Sequence, residues 1–153
     1  MATFSGRDIL NKYKQVDYII KGEGEITFCD LMHCIEKQED ISAVKGIMYR
    51  DEIGNVIVNE ERELIGDLDT LPFPVRDQFI QHNKNLQYMR LSTSRGCYGN
   101  CAFCSSFVGR KQKGARWRGR SPRNVVDEIE YLVKNALIRY LDSVIMLSSK
   151  DIF

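Results

Sequence analysis

The chain has little that would carry it out of the aqueous phase. No apolar run approaches the roughly 20 residues needed to cross a bilayer. Its first residues, Met1-Ala2-Thr3-Phe4-Ser5-Gly6-Arg7-Asp8, lack the basic region and apolar stretch of a secretory signal. Without an export signal, the five cysteines read as reduced thiols or metal ligands rather than disulfides, and the cytoplasm is the expected compartment. Proline is scarce: there are three, and two fall in Leu71-Pro72-Phe73-Pro74, so they mark one place along the chain. Acidic residues are missing from Arg90 to Val126, where nine of the 22 basic residues lie (Arg90, Arg95, Arg110, Lys111, Lys113, Arg116, Arg118, Arg120 and Arg123). The net charge of +1 hides this separation. A basic stretch suits an anionic cluster or ligand, and its simpler reading is a solvated face. What remains is a globular composition, 43% hydrophobic and 28% charged, with enough chain for one ordinary domain or two incomplete ones.

Hydrophobic periodicity sets out the elements. Residues 5–15 read as a short helix capped by Ser5. Val16-Asp17-Tyr18-Ile19-Ile20 is an apolar run of the kind found in buried parallel strands. Gly22-Glu23-Gly24-Glu25 then turns into a helix on which Phe28, Leu31, Met32 and Ile35 recur at helical spacing, giving half of a βαβ unit. A dinucleotide fingerprint at this turn would need a third glycine, so a tight turn is the better reading. Residues 44–50 and 56–59 flank Asp51-Glu52-Ile53-Gly54-Asn55 and predict a hairpin. Asp67 to Asp77, with its two prolines and no clear period, reads as an extended linker.

Residues 87–93 form a predicted strand leading into a cysteine loop. Residues 122–138 form a helix, with Ser121 as cap and Pro122 in its first turn. Its apolar face would be Val125, Val126, Ile129, Leu132, Val133 and Leu137. Val144-Ile145-Met146-Leu147-Ser148 is a second buried strand, and a helix joining two such strands implies parallel pairing. Two strands cannot cover both faces of a parallel sheet, so the chain is expected to be part of a longer protein or to need a partner.

The chemistry concentrates in Cys97-Tyr98-Gly99-Asn100-Cys101-Ala102-Phe103-Cys104, spaced Cys-x3-Cys-x2-Cys. Three nearby thiolates can wrap one compact metal centre, since soft sulfur suits iron–sulfur clusters and zinc. Gly96 and Gly99 let the backbone fold tightly around it. Three cysteine ligands on a [4Fe–4S] cluster leave one iron open, as a catalytic metal site keeps an open position.

From Arg95-Gly96-Cys97 through Cys104, with an aromatic just before the last cysteine, the sequence resembles the signature of radical S-adenosylmethionine (SAM) enzymes. The resemblance implies that SAM chelates the fourth iron and is cleaved reductively to methionine and a 5′-deoxyadenosyl radical in the full-length enzyme. That enzyme would be of the iron–sulfur oxidoreductase or methyltransferase type. Phe103 would pack near the adenine. An electron donor such as a flavodoxin or ferredoxin is implied as partner, and the substrate is not.

Further segments are similar to the subfamily in which a cobalamin-binding domain precedes the radical SAM core. They are Val16 to Glu25, the linker from Glu61 to Asp77, Trp117-Arg118-Gly119-Arg120-Ser121, and Val125 to Ile129. The implied fold is α/β: the tail of a flavodoxin/Rossmann-like cobalamin-binding domain with a hairpin, then a linker, then the opening βαβ of a partial (β/α)6 barrel. The implied divisions are 1–65, 66–86 and 87–153. Cobalamin would need a region upstream, and most barrel strands would lie downstream, so the chain alone is expected not to turn over. The family's second barrel strand ends in two acidic residues. Here Asp151 is the one that matches, and the resemblance assigns it to cofactor binding.

Simpler readings apply to other residues. Cys29 and Cys34, on either side of His33, point to different helix faces and read as buried thiols. His82 reads as a solvated loop residue, or as a fourth ligand if the metal were zinc. Trp117 among arginines could stack on a nucleobase, but packing near the cluster is the better reading. Lys150, at a strand end, reads as solvated. A noncatalytic iron–sulfur or zinc module remains the competing function. Nucleic-acid binding through the basic stretch is a third reading, compatible with an enzyme that modifies RNA, and is not favoured.

Overall fold

A computed structural model describes residues 2–76, 88–99, 101, 113–135 and 140–144. These residues form two compact units, one of residues 2–65 with 113–114 and the other of the remainder.

In the first unit, a helix α1 (Ala2–Lys12) is followed by strand β1 (Tyr18–Ile20), helix α2 (Glu25–Lys37), and strands β2 (Ile47–Arg50) and β3 (Val56–Val58). The strands form one antiparallel sheet in the order β1-β2-β3, with Tyr18 opposite Tyr49 and Arg50 opposite Val56. Strand alternation sends side chains to two faces. Ile19 and Met48 pack with Leu10 of α1, and Ile47 packs with Leu31 of α2 and Val44, so each helix covers one face. Arg50 donates to the carbonyls of Leu10, Lys14 and Val16, at 2.6, 3.1 and 2.6 Å, and so satisfies one carbonyl of the last turn of α1 and two in the segment after it.

Several expectations are corrected here. Within the apolar run at residues 16–20 only Tyr18–Ile20 is strand, its neighbour is the first hairpin strand, and the pairing is antiparallel. Hydrophobicity requires burial of such a run and says nothing of its partner. The helix begins at Ala2, before the residue expected to cap it, and Ser5 lies at a kink inside α1 with non-helical φ −104 and ψ 18. On α2 the buried positions are Thr27 and Leu31, while Phe28, Met32 and Ile35 stay exposed. Cys29 is exposed and Cys34 half-buried, so neither is a buried thiol. The hairpin itself forms as expected, with Asp51 accepting from the N–H groups of Ile53 and Asn55.

The second unit opens with a 3₁₀ turn at Leu68–Thr70 and continues with β4 (Tyr88–Ser92), β5 (Ser94–Gly96), β6 (Trp117–Gly119), α3 (Pro122–Asn135) and β7 (Tyr140–Val144). β4 and β7 pair in parallel, from Tyr88 opposite Tyr140 to Ser92 opposite Val144. This is the predicted pairing across a helix. The described part of this strand is Tyr140–Val144, and residues 145–148 of the expected strand lie outside the described residues. β5 and β6 form an antiparallel ribbon.

Helix α3 is capped as predicted, with the Ser121 hydroxyl accepting from the Asn124 N–H at 3.1 Å. Its buried face is Glu128 and Leu132, whereas Val126 and Val133 are exposed. The start of the expected linker is not extended chain. Leu68 is buried, and the Asp69 carboxylate accepts from the Ser121 N–H at 2.9 Å. The Ser121 side chain and N–H, and then Arg120, hold the Asp69 carboxyl below its ordinary range. Residues 77–87, including His82, lie outside the described residues. Among the described residues no helix is long and apolar enough to cross a membrane.

Candidate functional site

The cysteine loop leaves the β5–β6 ribbon at Gly96. This residue sits opposite Trp117, has φ +85, and passes so close to the facing strand that a Cβ would lie 1.7 Å from the Arg116 carbonyl oxygen. Only glycine meets both demands, a left-handed backbone and contact of main chain on main chain. The turn at Gly96 directs Cys97 out of the ribbon.

The two described cysteines then converge. A Cβ at Gly99 would lie 3.3 Å from Cys97 Sγ and 3.7 Å from Cys101 Sγ, so both sulfurs surround one residue that has no side chain. The Gly99 N–H donates to Cys97 Sγ at 3.2 Å. Cys97 is half-buried and Cys101 exposed. Cys104, Phe103, Lys150 and Asp151 lie outside the described residues. Among the described residues no three His, Cys, Asp or Glu side chains come together as a metal site.

These sulfurs suit an iron–sulfur group. They are soft donors on a tight glycine loop, and a backbone N–H aimed at a sulfur stabilises the thiolate that such a group needs. Arg95 and Arg118 stand opposite each other on the ribbon that carries the loop.

The loop is braced by an aromatic pair. The Tyr98 and Trp117 rings stack with centroids 6.1 Å apart and planes inclined by 29°. Trp117 thus packs on the cysteine loop, as expected. The basic stretch is not simply a solvated face: Arg118 is buried, and Arg120 is built into the fold.

Sequence reasoning missed Glu128. It is fully buried and ion-paired with two arginines, Arg76 at 2.7 Å and Arg120. Arg120 also donates to the carbonyls of Ser92 and Asn124 and lies 5.6 Å from the centre of the Phe73 ring. The triad ties the end of the proline segment to α3. A signal did exist: Glu128 is four residues before Leu132, on its face, and a charge there needs partners. A cavity of about 350 Å³ borders this triad and is lined by Phe73, Pro74, Arg90, Leu91 and others, with neither Cys97 nor Cys101 in its wall.

No protein-family model matches the chain. It is 32% identical over 156 residues to an uncharacterized methyltransferase of Pyrococcus horikoshii, covering 97% of this chain and 33% of that protein. It is 34% identical to the anaerobic magnesium-protoporphyrin IX monomethyl ester cyclase of Synechocystis sp., covering 85% of this chain and 26% of the relative. The cobalamin-dependent S-adenosylmethionine radical enzyme OxsB, solved with aqua-cobalamin and SAM bound, superposes with a TM-score of 0.73 at 28% identity. That match takes in 94% of this chain and 20% of OxsB. The radical SAM methyltransferase TsrM of Kitasatospora setae shares the fold at 22% identity and a TM-score of 0.62, over 95% of this chain and 28% of its own. The chain therefore spans a third or less of the curated relatives it matches. These relatives include a methyltransferase and a cyclase. The chain thus corresponds to a portion of the cobalamin-dependent radical SAM enzymes to which it is similar.

Proposed function

We propose that this chain is the cluster-binding portion of a radical SAM enzyme, with Cys97, Cys101 and Cys104 as ligands of a [4Fe–4S] cluster that binds SAM at its open iron. The observation that carries this reading is the convergence of the Cys97 and Cys101 sulfurs around Gly99, with the Gly99 N–H donated to one of them. When bound, such a cluster supplies the electron for reductive cleavage of SAM.

The chain's own residues prepare the place. Gly96 turns the backbone out of the ribbon, and Gly99 leaves room between the sulfurs. Phe103 and Asp151 are assigned to SAM binding, and an electron donor such as a flavodoxin or ferredoxin serves the whole enzyme. The division into a cobalamin-domain tail (1–65), a linker (66–86) and a barrel opening (87–153) belongs to the same reading. The kinship with methyltransferases and a cyclase supports transfer of a carbon group or ring closure as the reaction class of the full-length protein.

Anaerobic reconstitution of the chain with iron and sulfide tests the reading. We expect about four irons per chain and a reduced-cluster electron spin resonance spectrum that changes when SAM is added. Cys97→Ala, Cys101→Ala and Cys104→Ala should each abolish uptake, and Cys29→Ala and Cys34→Ala should leave it intact. One tightly held zinc and no cluster would overturn the reading in favour of a structural metal module.

A further inference from the structure

We infer that Trp117 is a positioning residue for the cysteine loop, acting through Tyr98; this rests on the cluster reading above. β5 and β6 are three residues each, and so short a ribbon is weak by itself. Beyond Gly96, Tyr98 is 45% exposed and Cys101 is exposed.

A tyrosine so open to water gains little from burial. It does lie against the ring of Trp117, at the stacking distance and tilt of an attractive aromatic pair. Tyr98 stands between Cys97 and Gly99, so fixing its ring fixes the chain on both sides of it. One neighbour is a thiol, and the other carries the N–H that donates to that thiol.

Trp117 is itself held. Its backbone pairs with Gly96, the residue at which the loop begins. Its ring lies over Gly119, where a Cβ would come within 2.9 Å of the ring's edge. Residues 117 and 119 share a face of the strand, so the missing side chain at Gly119 is the space the indole occupies. Backbone contact at Gly96, ring on Gly119 and ring on Tyr98 together connect a fixed strand to the sulfur-bearing loop. The indole thus sets where Cys97 and Cys101 present their sulfurs, without itself touching a metal.

The test uses the 153-residue chain, reconstituted anaerobically, with the rate of cluster loss to an iron chelator as readout. Trp117→Leu and Tyr98→Leu should each speed the loss about three- to tenfold, the worth of one aromatic pair. The double variant should be no faster than either single one, because both remove the same contact. Trp117→Phe and Tyr98→Phe keep a stack and should stay near the parent rate. The reduced cluster's spin resonance spectrum should broaden in the two leucine variants and not in the phenylalanine ones. Tyr98 is exposed, so Tyr98→Leu reports even if Trp117→Leu does not fold. Parent-like loss rates in the leucine variants, or additive effects in the double variant, would overturn the inference while the cluster reading stands. A parent chain that takes up no cluster would sink the cluster reading and this inference with it.

Discussion

Glycines shape this site more than charged residues do, and two of them separate backbone conformation from backbone contact. Gly96 and Gly54 both have positive φ, +85 and +91, but Gly54 faces open space whereas Gly96 abuts the Arg116 carbonyl. Gly54→Ala should therefore cost only the left-handed conformation, about 1 kcal/mol. Gly96→Ala adds an overlap that the backbone can relieve only by opening the ribbon, so it should cost well over 2 kcal/mol and abolish iron uptake. Denaturant midpoints and iron content of the two variants check this; equal effects would show that contact at Gly96 does not matter. The cysteine spacing and the flexible glycines beside it were legible in the sequence, because metal chemistry fixes ligand type and separation. The stack of Tyr98 on Trp117 was only half legible. Trp117 could be placed near the loop, but nothing local names its partner.

Among the elements, α3 shows what local pattern reveals and what it hides. Ser121 and Pro122 announce its start, and the hydroxyl does cap the helix. The run of valines suggested a wide apolar face, yet the position buried most completely beside Leu132 is a carboxylate. The reason lies 52 residues away in Arg76, which the proline segment delivers to Glu128. The same distance separates Asp69 from the Ser121 N–H it accepts from. Prolines and polar residues made the start of that segment look like free linker, because ion pairs of such range leave no periodic trace. β1 failed for a related reason, since its apolar run fits either strand direction. Glu128→Ala would leave Arg76 and Arg120 partly buried without their counter-charge, and removing one partner of a buried pair costs about 3–5 kcal/mol. Arg76→Ala should cost less, because Glu128 would keep Arg120. Thermal or denaturant unfolding of the two variants gives the order; a larger loss for Arg76→Ala would contradict the central place of Glu128.

At the scale of the molecule, each unit has its own buried residues. Leu10, Ile19 and Met48, with Leu31, Val44 and Ile47, lie in the first unit, whereas Leu68, Met89, Leu91 and Leu132 lie in the second. Hydrophobic stabilisation acts through contiguous buried surface, so a cavity in one core lowers the stability of the unit that contains it. The chain holds one tryptophan, Trp117, and it stands in the second unit beside the cysteine loop. Its fluorescence therefore follows that unit, while far-ultraviolet circular dichroism follows the helices of both. Leu10 is fully buried against the sheet, and Leu10→Ala should cost about 2–5 kcal/mol. The loss should appear as an early partial transition in circular dichroism, with the Trp117 midpoint and iron uptake unchanged. Glu128→Ala should do the reverse and move the Trp117 midpoint first. If Leu10→Ala shifts both signals together, the two units unfold as one, and the stability of the cluster loop is tied to the first unit's core.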